Sequence, residues 1–126
     1  MHSIDMMCAS GYPSVNPHVN RGLAVLTELL YTFALASVVL NVATTKAQEN
    51  NSFFGLAIGF TVTAAAIAAG PISGGAFNPA VGTALPAVHG VVSDIWVYWL
   101  GPMTGGALAG AVFRLTARPD EFENKD

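Results

Sequence analysis

The residues with the clearest capacity for chemistry are Asn78, Pro79 and Ala80. Asn is a favoured helix N-cap and Pro a favoured first helical residue, so the tripeptide reads as the start of a helix. With its side-chain oxygen spent on capping backbone N–H groups, the Asn78 amide keeps its N–H donors for a passing oxygen. The helix also presents the positive end of its dipole there, about half an elementary charge, which opposes cations. The bland alternative is an ordinary loop turn, which an isolated tripeptide would favour. Glu28 is the second candidate, because an ionisable group in a long apolar stretch is costly and normally faces the protein interior. A proton relay through Glu28 would need further acids or histidines in the apolar stretches, and the sequence places none there. His2, His18 and His89 read as loop residues, and Cys8 cannot form an internal disulfide. No Ser/His/Asp set, phosphate loop, dinucleotide fingerprint or zinc-ligand spacing occurs, so the sequence argues against an enzyme, a metal site and a cofactor.

The elements that must position these residues are apolar. The 126 residues are 52% hydrophobic and 10% charged, with a mean hydropathy of +0.51, which predicts an all-α membrane protein. Between Gly22 and Ile95 the charged residues are Glu28, Lys46, Glu49 and Asp94. A net charge of -3 offers no basic face, so nucleic acid is not an expected partner and membrane lipid is. Residues 1–21 are rich in Ser, Asn, Pro and Gly, carry no apolar run like that of a secretory signal, and read as a loop. That opening raises the expectation of a fragment of a longer chain.

Spans are expected at Leu23–Thr45, Phe53–Gly70 and Ile95–Thr116, each near or above the length that crosses about 30 Å of hydrocarbon. The third opens with an interfacial Trp96, Tyr98, Trp99 cluster and closes at Arg114. Pro71–Asp94 is too apolar for a solvated loop and too broken by Gly and Pro for a crossing, so it reads as a re-entrant segment with a half-helix at about 79–88 that Pro86 kinks or ends. The organisation is thus an N-terminal segment at 1–21, a membrane unit at 22–117 and a tail at 118–126. Lys46, Arg114, Arg118 and Lys125 against Arg21 place the tail and the Lys46 loop in the cytoplasm. That topology makes the Asn50-Asn51-Ser52 glycosylation match a coincidence. Gly55 with Gly59, and Gly106 with Gly110, have the spacing that lets helices approach closely.

At ISGGAFNPAVG, residues 72–82, the sequence resembles the major intrinsic protein family, the aquaporins and glyceroporins. Glu28 with Thr32-Phe33, the run Gly55-Leu56-Ala57-Ile58-Gly59, and Gly101-Pro102 with Gly105-Gly106 resemble that family's fourth, fifth and sixth helices. The resemblance covers about residues 22–116. It implies an aquaporin-like half, the second of two inverted repeats, with three transmembrane helices and one re-entrant half-helix. It also implies that Glu28 holds backbone amides of the Pro71–Phe77 segment, that the glycines of the third span serve packing, and that the protein assembles as a homotetramer. The filter positions, counted without gaps from the tripeptide, fall on Ala66, Gly75 and Val81, where many water-selective relatives have Arg in the last place. Small or apolar residues there imply a wider constriction and a channel for water and small neutral solutes such as glycerol or urea. A single half-helix cannot line a complete pore, so function requires a missing N-terminal repeat or the pairing of two copies about an axis in the membrane plane, and the Lys/Arg bias opposes the opposite insertion that pairing needs. The alternative is a non-conducting packing or assembly module, or an inactive fragment of a channel.

Overall fold

The computed structural model describes residues 11–121; His2, Cys8 and Lys125 lie outside the described residues. Four α-helices are present among them: α1 (Arg21–Ala43), α2 (Phe54–Ser73), α3 (Pro79–Val88) and α4 (Ile95–Thr116). Short 3-10 turns occupy Lys46–Gln48 and Pro119–Glu121. The architecture is all-α, as composition requires, and α1 and α2 are each long and apolar enough to cross a membrane. The 22 residues of α4 are comparable in length, but Gly101, Gly105, Gly106, Gly110 and Pro102 dilute its hydropathy.

Local chemistry explains the helix ends. Asn20 caps α1, its side chain accepting from Gly22 N at 2.7 Å, so the helix begins two residues before the expected Leu23. Asn51 shapes the α1–α2 connection: its Nδ2 donates to Val42 O at 2.7 Å while its Oδ1 accepts from Phe54 N at 2.8 Å. α2 runs to Ser73, three residues beyond the expected Gly70, with Pro71 inside it and Gly74 closing it at φ 87°. The expected re-entrant segment opens at Pro71, but the final carbonyls of α2 have donors from elsewhere in the chain, which permits one more turn. α3 starts at Pro79 and ends at Val88, two residues past Pro86.

α1 is the central helix, packed against α2 and α4, while α3 lies on α4. Arg21 meets Asp94 at the start of α4, and Ala47 N, just past α1, donates to Glu121 Oε2, just past α4; α1 and α4 therefore run parallel. The interior forms two small clusters. One gathers Val15, Ala24, Ala76, Val97 and Tyr98, and the other gathers Ala65, Ala69 and Phe77 against Tyr31, Leu35 and Ala66. Large side chains such as Leu26, Leu30, Phe60, Ile67 and Leu115 point outward. This inversion of the usual soluble pattern suits a molecule whose surroundings are apolar.

Candidate functional site

The site is the irregular segment between α2 and α3 and the groups that hold it. Gly74 and Gly75 have φ values of 87° and 65°, a conformation glycine adopts without Cβ strain. A Cβ on Gly74 would collide with the Ser14 backbone, so that position needs glycine for space as well. Phe77 follows at φ 49°, a left-handed conformation rare for a bulky residue. Its ring is buried against Ala65 and Ala69 and lies 5.8 Å from the Tyr31 ring centroid. Packing of the ring offsets the backbone cost.

Beneath this turn lies Glu28, fully buried on α1. Its Oε1 accepts from Ser73 Oγ at 2.7 Å and from Ala76 N at 3.0 Å, and its Oε2 accepts from Phe77 N at 2.6 Å. A turn that runs against the regular helical pattern leaves backbone N–H groups without helical partners, and at membrane depth water cannot supply them. One carboxyl group on a neighbouring helix supplies two of them at once.

Asn78 caps α3 from an extended conformation, φ -156° and ψ 126°, with Oδ1 accepting from Ala80 N at 2.8 Å. Among the described residues its Nδ2 has no partner, and the residue is exposed. α3 is seated on α4 by two contacts. Gly82 lies so close to Tyr98 Cβ that no side chain fits between them, and Trp99 Nε1 donates to Thr83 Oγ1 at 2.9 Å. Pro79 and Ala80 form the first turn of α3.

Two of the three expected filter positions lie together, since a Cβ on Gly75 would sit 3.7 Å from Ala66 Cα. Val81, on the first turn of α3, is 39% exposed. Of the packing glycines, Gly101 and Gly105 press on α1: a Cβ on Gly101 would lie 2.7 Å from Glu28 Cβ, and one on Gly105 would strike Leu29 O. A Cβ on Gly55, Gly59, Gly106 or Gly110 would meet nothing within 4 Å among the described residues, so the close approach suggested by their spacing is not made there. The four-residue spacing identified a small surface on each helix without saying which surface faces inward.

Tyr98 corrects the expected interfacial cluster. It is 1% exposed, its hydroxyl donating to Ser73 O at 2.7 Å, whereas Trp96 and Trp99 are 48% and 50% exposed. Tyr98, Gly101, Pro102, Gly105 and Ala109 are all buried and recur at helical spacing, a signal that marks the inward face of α4 and includes Tyr98. Ser73, Gly74, Gly82 and Asn16 were not singled out by sequence reasoning either. Their partners are 25 to 55 residues away for Ser73 and Asn16, beyond the reach of local pattern.

No group of three or more His, Cys, Asp or Glu that could hold a metal occurs among the described residues. His89 is exposed, its ring 4.8 Å from that of Tyr12, with Nδ1 2.9 Å from Leu85 O. The site offers backbone groups and one amide in a mostly apolar frame, a set suited to passing hydrogen bonds to a polar molecule.

Comparison with known proteins agrees with this geometry. The Major intrinsic protein family model matches residues 3–113. The chain is 44% identical over 106 residues to Aquaporin TIP2-3 of Arabidopsis thaliana, covering 79% of this chain and 42% of that protein. It is 44% identical over 90 residues to Probable aquaporin TIP2-2 of Arabidopsis thaliana, covering 71% and 36% respectively. With Probable aquaporin TIP-type RB7-18C of Nicotiana tabacum the identity is 42% over 96 residues, covering 75% and 38%. The chain thus spans about two fifths of the length of the curated relatives it matches. By family match, fold and site together, the chain belongs to the major intrinsic protein family, a family of integral membrane channels and not of enzymes.

Proposed function

We propose that this chain is the second repeat of a two-repeat channel that passes water and small neutral solutes such as glycerol. The observation that carries this reading is Asn78: its Oδ1 is committed to Ala80 N, its Nδ2 is exposed, and it heads a helix of 10 residues. Such a helix is about 15 Å long, half the hydrocarbon thickness, and it begins where α2 and the Glu28-braced turn deliver it. Asn78, Pro79 and Ala80 line the pore in this reading. Ala66, Gly75 and Val81 form an outer constriction without a cationic side chain, which lowers the barrier to molecules larger than water. Glu28 is a structural brace. The tail and the Lys46 loop face the cytoplasm, and the complete channel is a homotetramer.

Stopped-flow light scattering on vesicles carrying the longer channel that contains this chain tests the reading. Water and glycerol permeabilities are expected to rise well above those of empty vesicles. Exclusion of every solute but water rejects the permissive constriction, and permeability equal to that of empty vesicles rejects the channel in favour of a packing module.

A further inference from the structure

We infer that Asn16 is a positioning residue for the proposed constriction: it closes the end of α2 from outside the helices and so fixes the wall that carries Ala66 and Gly75. This inference rests on the pore reading of those two positions.

An α-helix ends on four carbonyls without intrahelical donors, and at membrane depth they need protein partners. In α2 they belong to Gly70, Pro71, Ile72 and Ser73. Gly74 N donates to Gly70 O at 3.0 Å, and Tyr98 Oη donates to Ser73 O at 2.7 Å. The two between them are served by one residue: Asn16 Nδ2 donates to Pro71 O at 3.0 Å, and Asn16 N donates to Ile72 O at 3.2 Å. The Asn16 side chain is itself held, because its Oδ1 accepts from His18 N at 2.9 Å. Its carbonyl accepts from Val19 N at 3.0 Å, closing a turn. On the other side of Asn16 the chain stays in contact with the same wall. Val15 is buried with Ala76 and Tyr98, and the Ser14 backbone fills the space where Gly74 would carry a Cβ.

The consequence follows from the size of the residues at the constriction. Bulky filter side chains would define an aperture by their own rotamers. Ala66 and Gly75 have no such reach, so the opening is set by where the backbone of α2 and of the 74–77 turn is held. Asn16 holds that backbone at the last full turn of α2. Losing its amide frees Pro71 O to seek another donor, and the turn carrying Gly75 shifts with it.

The test uses the longer channel with every cysteine replaced, Cys8→Ser included, and a single Ala66→Cys reporter. Asn16→Ala removes the side-chain donor; Asn16→Asp is nearly isosteric and sets an acceptor against Pro71 O. Ser14→Ala is the control, since Ser14 meets Gly74 through backbone atoms. Two quantities are read: the glycerol-to-water permeability ratio, and the labelling rate of the reporter by a small thiol reagent, which does not require conduction. Both Asn16 variants are expected to change each quantity roughly threefold or more, the scale of one lost hydrogen bond, while Ser14→Ala leaves both unchanged. An unchanged ratio and unchanged labelling in folded Asn16 variants overturn the inference. So does an equal loss of water and glycerol flux with labelling unaltered, which marks a role in folded yield alone. If unsubstituted channels conduct nothing, the pore reading fails, and labelling still reports whether Asn16 positions the wall. Should Asn16→Ala fail to assemble, Asn16→Gln moves the amide by one methylene and is expected to shift labelling in the same direction; an unchanged rate overturns the inference.

Discussion

Two side chains beside the 74–77 turn have duties that substitutions separate. Glu28 receives Ser73 Oγ, Ala76 N and Phe77 N, so Glu28→Ala strands two buried backbone donors, while Ser73 Oγ keeps Ala69 O at 3.4 Å as an acceptor. Each unsatisfied donor costs about 1–3 kcal/mol, and we expect a loss of about 2 kcal/mol or more, read as a lower unfolding midpoint in detergent. Glu28→Gln keeps one oxygen acceptor and is expected to fall between the two. It also tests the proton-relay alternative, because a brace predicts unchanged proton leak through Glu28→Gln channels and a relay predicts a change. Asn78 divides differently. Asp caps a helix as well as Asn does, so Asn78→Asp is expected to keep stability within about 0.5 kcal/mol while losing the exposed N–H donors and adding negative charge beside the proposed pore. Vesicles should then show lower water permeability and a lower barrier to cations. A stable variant with unaltered permeability would remove Asn78 from the pore wall.

Among the elements, the α1–α4 contact is governed by glycines whose surroundings differ although their spacing looks alike. Gly101 and Gly105 have no room for a methyl group, and Gly106 and Gly110 have open space. Gly105→Ala is expected to destabilise the chain by about 1–3 kcal/mol through overpacking. Gly106→Ala is expected to stabilise it by up to about 1 kcal/mol through helix propensity, the pair being compared by thermal unfolding in detergent. Equal responses would mean that α1 and α4 do not pack as described. The same contrast shows what the amino-acid pattern revealed. α3 was legible to its ends, because an N-cap Asn, a first-turn Pro and a late Pro are local signals. The bounds of α1 and α4 were legible within two residues because apolar runs and flanking polar residues are local too. Hidden from that reading were the last turn of α2, the inward turn of Tyr98 and the role of Asn16. Each depends on a partner in a distant part of the chain, such as Asn16 on Pro71, 55 residues away. The buried position of Glu28 was anticipated from the cost of a charge in lipid, and the identity of its donors only by likeness to relatives.

Across the whole molecule, the distribution of charge between its two ends favours the proposed orientation in a bilayer. At one end Arg21 forms a two-point contact with Asp94, with Nε 3.3 Å from Oδ1 and Nη2 3.3 Å from Oδ2. At the other, the Lys46–Gln48 turn and the Pro119–Glu121 turn are joined by Ala47 N donating to Glu121 Oε2 at 3.2 Å. This contact brings the loop after α1 and the segment after α4 to one face, where Lys46, Arg114 and Arg118 gather. Lys and Arg near span ends favour the cytoplasmic side, and acidic residues count for little in that rule, so three cations outweigh the single Arg21. In the proposed orientation α3 descends from the opposite, non-cytoplasmic side, which is where the constriction formed by Ala66, Gly75 and Val81 belongs in the proposed channel. In a cysteine-free background, a membrane-impermeant thiol reagent applied from the non-cytoplasmic side is expected to label Ser93→Cys and to spare Gln48→Cys. Applied from the cytoplasmic side, it should reverse that pattern. Replacing Lys46 and Arg118 with Ala should weaken the preference, since each removes a cation from the retained face. Labelling of Gln48→Cys from the non-cytoplasmic side in the unaltered charge background would invert the topology and move the constriction to the cytoplasmic mouth.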